Sequence, residues 1–211
     1  MKLVKKSTPS PSEALTNLHP EKNSVLILVH VQNDFCPGGA LPVTEGDTII
    51  PLINRYIGLF QSEGLSVIAT RDWHPPNHCS FKEQGGMWPV HCVQGSRGAQ
   101  FRADLHIPNG SLIISGATNP KTEAYSAFDG TSLNDHLEDM GAQTLYVVGL
   151  ATDYCVKQTV LDGCKLGYRI VVLEDAVRGV NLRPDDSQKA LKEMSDAGAL
   201  KASASDLGLD S

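Results

Sequence analysis

Val147-Val-Gly-Leu-Ala-Thr-Asp-Tyr-Cys155-Val156 is the stretch from which the fold can be read. The apolar run from Leu145 to Val148 has the character of a buried strand, Gly149 ends it, and a helical pattern follows from Cys155 to Leu166. A cysteine at such a junction sits in the field of a helix N-terminus, where unpaired N–H groups favour negative charge. That field lowers the thiol pKa and makes thiolate, the nucleophilic form. The N–H groups of the turn are also placed to stabilise an oxyanion. For an arbitrary cysteine the plainer reading is a small buried hydrophobe. The order strand, glycine, turn, cysteine, helix favours a nucleophile, and we expect Cys155 to be the most thiolate-like of the five cysteines.

Outward from this stretch, strands and helices alternate. Ser24 to Val31 is a continuous apolar run, typical of a central parallel strand covered on both faces, with His30 near its C-terminal end. Asp47 to Glu63 carries apolar residues at helical spacing, with Pro51 in its first turn. Leu65–Thr70, Leu112–Ser115, Arg169–Leu173 and Ala199–Ala202 read as strands; Ser132–Met140 and Ser187–Ala197 read as helices, each stopped by a glycine. This alternation predicts an α/β fold: one three-layer α/β/α domain with a central, mainly parallel sheet. We place its bounds at 24–205, after an arm at 1–23 expected to be mobile and before a tail at 206–211. In such sheets ligands bind beyond the carboxyl ends of the strands. Four loops fall there: His30 to Phe35, Asp72 to His91, Gly116 to Phe128, and Ala151 to Cys155.

Composition narrows the function. A chain of 211 residues suits one domain with a sizeable core. The formal net charge of -6 argues against a nucleic-acid partner. No apolar run approaches a membrane span, and the N-terminal stretch has no apolar signal core. Five cysteines without regular spacing fit free thiols in a reducing cytoplasm.

Asp72-Trp73-His74 places two ligand-type side chains two apart, on the same side of extended backbone. His91 offers a third ligand from the same excursion. One carboxylate and two imidazoles suit Zn²⁺, Fe²⁺ or Mn²⁺. His78 is a candidate fourth ligand or a support for the others. The plainer alternative is that Asp72 and His74 only hydrogen-bond the loop.

Five ordered motifs now resemble the nicotinamidases, a branch of the isochorismatase-like cysteine hydrolases. They are Val29-His-Val-Gln-Asn-Asp-Phe35-Cys-Pro-Gly-Gly, Ala69-Thr-Arg-Asp72-Trp-His74-Pro-Pro-Asn-His, Trp88-Pro-Val-His91-Cys, Glu123-Ala-Tyr125-Ser-Ala-Phe128 and Gly149-Leu-Ala-Thr-Asp-Tyr-Cys155-Val. The resemblance covers about residues 24 to 203 and implies a parallel sheet flanked by helices. It implies hydrolysis of nicotinamide, or a related small carboxamide, to the acid and ammonia, a step of NAD salvage. It assigns Cys155 as nucleophile and Asp72, His74 and His91 as ligands of a divalent metal, zinc first. Phe35, Trp88 and Tyr125 fall around the substrate ring, and the N–H groups of Ala151 and Cys155 form the oxyanion hole. The peptide bond before Ala151 is expected to be cis. A homo-oligomer in the cytoplasm is the expected setting.

Two positions depart from the family pattern. His30 stands where the family has its catalytic aspartate, and Gly116 where it has its catalytic lysine. Histidine is able to accept and return a proton near neutrality. Glycine has no side chain, and Lys121, five residues on, is the only nearby substitute. Two functions therefore compete: a metal-assisted cysteine amidase with His30 as base, and a family member that binds a pyridine-like ligand and metal without efficient turnover. Isochorismate-type ether hydrolysis is disfavoured by the two metal motifs.

Overall fold

The central strand β1 (Ser24–Val29) is buried at every residue, so it must be covered on both faces. It lies between β2 (Ser66–Asp72) and β4 (Thr144–Leu150), parallel to both. β3 (Leu112–Gly116), β5 (Arg169–Arg178) and β6 (Leu200–Ala202) complete a six-stranded, all-parallel sheet of order β3-β2-β1-β4-β5-β6 in this computed structural model, which describes residues 18–209. The expected mobile arm therefore lies mostly outside the described residues, as does the end of the tail.

Strand alternation divides the core into two layers. Leu26 and Leu28 face α1 (Ile50–Ser62), which buries Ile50, Ile53, Tyr56, Ile57 and Phe60 against them. Each such side chain contributes about 1.5–3 kcal/mol of transfer free energy on burial. Val25, Ile27 and Val29 face the other way, onto α2 (Leu133–Asp139), α3 (Lys157–Lys165) and α4 (Asp186–Asp196) through Leu133, Leu137, Val160 and Met194. This is the expected three-layer arrangement. Leu18 and Leu209 pack on the first layer, where Leu207 is buried. No described helix is long and apolar enough to cross a membrane.

Strand ends differ most from expectation. β4 does not stop at Gly149 but runs on to Leu150, with a register shift between Val147 and Gly149. Gly149 has φ +117°, and a Cβ there would fall 2.1 Å from the carbonyl oxygen of Val29. The glycine lets two central strands approach; it does not break one. β2 likewise continues through Arg71 and Asp72, which pair with Ser115 and Gly116. The helix after β4 begins earlier than Cys155, with a π-helical turn over Thr152–Val156 leading into α3.

Candidate functional site

Three neighbouring strand ends bring the site together. β1 ends at Val29, and His30 adopts a left-handed conformation (φ +48°) while its N–H still reaches the carbonyl of Thr70. β2 ends on Asp72, directly paired with Gly116 at the end of β3. β4 leads through a cis peptide bond between Leu150 and Ala151 into the turn that carries Cys155. Gln32 ties the first two ends: its side-chain amide donates to the carbonyl of Asp72 and accepts that residue's N–H, both at 2.8 Å.

Asp72, His74 and His91 are buried and each presents a ligand atom, all within 4.8 Å of one another. The Nδ1 of His74 lies 3.2 Å from the carbonyl of His91, and the Nδ1 of His91 lies 2.7 Å from that of Pro89. A carbonyl only accepts, so each Nδ1 carries its proton and each Nε2 is left with a lone pair. That backbone support is what orients histidine ligands on a metal. Burial lowers the pKa of His74 to about 4, which keeps the ring in its ligating, neutral form. The donor set therefore fits a divalent ion. His78 does not join it, because its two nitrogens face Ser80 Oγ and the carbonyl of Thr122.

The second convergence is around sulfur. His30, Asp72 and Cys155 also present atoms within 4.8 Å of one another. The backbone N–H groups of Ala151 and Cys155, the donors named for an oxyanion hole, favour the charged form of that sulfur. The expectation of a lowered thiol pKa is overturned. Burial pushes the Cys155 thiol well above its ordinary value, and the nearby Asp72 carboxylate adds to this; the two N–H groups only partly oppose it. The helix-end field is weaker than burial beside a carboxylate. Burial also lowers the His30 pKa against the opposing pull of Asp72.

An apolar cleft of roughly 460 Å³, counting its open mouth, lies over Cys155, Asp72 and His74. Phe35, Trp88 and Tyr125 line it. The Trp88 indole N–H donates to the Tyr125 hydroxyl at 2.9 Å, and that hydroxyl donates to Glu123. Tyr154 stands edge-on to Trp88 at 5.0 Å between ring centroids and completes the aromatic wall with Leu41 and Val180, three residues that the sequence did not single out. Tyr154 had a signal in its adjacency to Cys155; Leu41 and Val180 had none. Trp73 is not part of the cleft: the Arg71 guanidinium covers its ring at 3.7 Å. Gly116 does not line the cleft, and Lys121 is exposed and does not reach it.

The isochorismatase domain family matches residues 24–206 of the chain. The nicotinamidase of Escherichia coli K12 is 48% identical over 195 residues, covering 82% of this chain and 92% of that protein. A crystal structure of the Pyrococcus horikoshii pyrazinamidase in complex with zinc superposes with a TM-score of 0.82 at 49% identity, covering 86% of this chain and 99% of that one. The PnC1 protein of L. infantum, crystallised with nicotinate, gives 0.81 at 38% identity, covering 87% and 94%. On the domain match and these relatives, the chain belongs to the isochorismatase family and stands among its nicotinamidase-like members.

Proposed function

We propose that the chain hydrolyses the carboxamide of nicotinamide, or of a closely related heteroaromatic amide, to the carboxylate and ammonia. One observation carries this reading: the Cys155 sulfur lies within 4.8 Å of a His30 nitrogen and an Asp72 carboxylate oxygen, under an aromatic cleft. The relatives' names, nicotinamidase and pyrazinamidase, fit a flat ring in that cleft.

The steps follow from the groups in place. Phe35, Trp88, Tyr125 and Tyr154 hold the ring and exclude water. A divalent ion on Asp72, His74 and His91, zinc by preference, supplies when bound a Lewis acid beside the ring. Cys155 Sγ bonds to the carboxamide carbon as its proton passes to His30. The carbonyl π pair moves to oxygen, where the N–H groups of Ala151 and Cys155 receive it. His30 returns the proton to the amide nitrogen, the C–N bond breaks and ammonia leaves. Water then adds to the thioester carbon with His30 taking its proton. The C–S bond breaks, the sulfur recovers a proton, and the carboxylate departs.

A second reading, ligand binding without efficient turnover, is favoured by Gly116, since the cleft holds no lysine there and Lys121 is exposed. Ammonia release from nicotinamide, measured beside nicotinamide binding, separates the two. Ammonia formation that disappears in Cys155→Ala supports hydrolysis; binding with no ammonia supports the second reading. We place the protein in the cytoplasm, on its five free cysteines.

A further inference from the structure

Asp72 belongs to two buried clusters, one with His74 and His91 and another with His30 and Cys155. The second cluster combines thiol, imidazole and carboxylate, a donor set suited to zinc-like ions. His30 is 2 % exposed, and its Nδ1 has no hydrogen-bond partner among the described residues. That nitrogen lies 3.6 Å from Asp72 Oδ1. The separation exceeds the 2.7–3.2 Å or so of a hydrogen bond. It is close to the roughly 3.3–3.5 Å nitrogen-to-oxygen edge of a tetrahedral zinc site. A buried polar atom without a partner calls for a missing one.

We propose that His30, Asp72 and Cys155 form a second site for a thiophilic divalent cation, sharing Asp72 with the first. A carboxylate has two oxygens and so can serve both sites. Binding replaces the S–H bond of Cys155 with a sulfur–metal bond, the proton leaves to solvent, and no electron changes hands. The sulfur is then no longer free to attack an amide. The residue that makes this possible is His30: the aspartate of the family pattern would present only oxygen there. The site stands on its own geometry, and its occupation does not depend on amidase turnover.

Cobalt(II) titration tests the proposal, because only a site containing sulfur gives a thiolate-to-cobalt charge-transfer band. The unmodified chain is expected to take up two ions, with the band growing alongside the second. His30→Asn and Cys155→Ser are each expected to lose the band and one equivalent while keeping the other. In the unmodified chain, the second equivalent of zinc should protect Cys155 from alkylation, read by peptide mapping, whether or not the variants fold. Uptake of one ion without the band, a band that survives either substitution, or no protection of Cys155 overturns the proposal. Nicotinamide turnover, measured on the same samples, reports on the amidase reading separately. Ammonia release that peaks at one equivalent and falls at two supports both, whereas a silent enzyme that still shows the band removes only the amidase.

Discussion

The Asp34 carboxylate accepts the backbone N–H of Cys92 at 2.7 Å and that of Ala40 at 3.1 Å, joining the loop after β1 to the segment that carries His91. Cys92 adopts a left-handed conformation there (φ +45°), so the bond fixes an otherwise unfavourable turn immediately after a proposed metal ligand. Asp34→Ala is expected to lower stability by about 1.5–3 kcal/mol, the cost of a charge-assisted bond removed from a donor it had satisfied. It should also weaken zinc binding through His91. Urea unfolding and a competitive chelator titration measure the two effects, and Asp34→Asn should recover part of each.

Gly149→Ala should be among the most damaging single changes in the sheet. The added methyl would collide with the Val29 carbonyl between the two central strands, at a φ that L residues rarely adopt. Overpacking and backbone strain together are expected to cost about 3 kcal/mol or more. A thermal transition indistinguishable from that of the unmodified protein would contradict the close approach of β1 and β4.

Acid should destabilise the metal-free protein earlier than carboxylate titration would. His74 has a folded pKa of about 4, while an unfolded histidine titrates near 6.5. Between those values the unfolded chain binds a proton that the folded chain refuses, so stability is complete above the higher value and falls as pH drops toward the lower. His74 alone accounts for about 3 kcal/mol of this loss. His30 and His78, lowered in the same direction by burial, add to it. Urea midpoints of chelator-treated protein across this range give the slope, and a flat profile would contradict it.

Restoring both family residues should raise amide turnover. A Cβ at Gly116 meets nothing nearer than 3.9 Å, so the backbone accepts a lysine there. His30→Asp with Gly116→Lys is expected to gain about 10²–10⁴-fold in ammonia release over the unmodified chain, the range of a well-placed acid–base group. Neither single change should match it, because triad members act as a unit. Equal rates in the unmodified chain and the double variant would establish Cys155 and His30 as a sufficient pair. In that event His30→Ala should lose a similar factor.

The layers of the fold were legible because β1 is apolar from Val25 to Val29 and α1 keeps helical spacing, signals that survive without tertiary context. Asp72, His74 and His91 were legible because i, i+2 spacing on extended backbone puts two donors on one side. Strand ends were not: Arg71, Asp72, Val177 and Arg178 are polar or mixed, and pairing with a neighbour makes them strand. The titration of Cys155 could not be read either. It depends on burial and on a carboxylate 83 positions away in the chain, Asp72, rather than on the adjacent helix.

The strand order also sets a schedule for synthesis. β1 is made first, yet Ser24 pairs with Thr144 on one side, and Val25 pairs with Ser66 on the other. Until β4 has left the ribosome, the apolar segment Ser24–Val29 has one open edge and no completed covering layer. Such a segment is an aggregation hazard during the interval, and pairing over long separations closes slowly. Truncations that end before Thr144 should therefore be caught by chaperones or form inclusion bodies, while chains that extend past Ala199 carry the buried residues that seal the second layer.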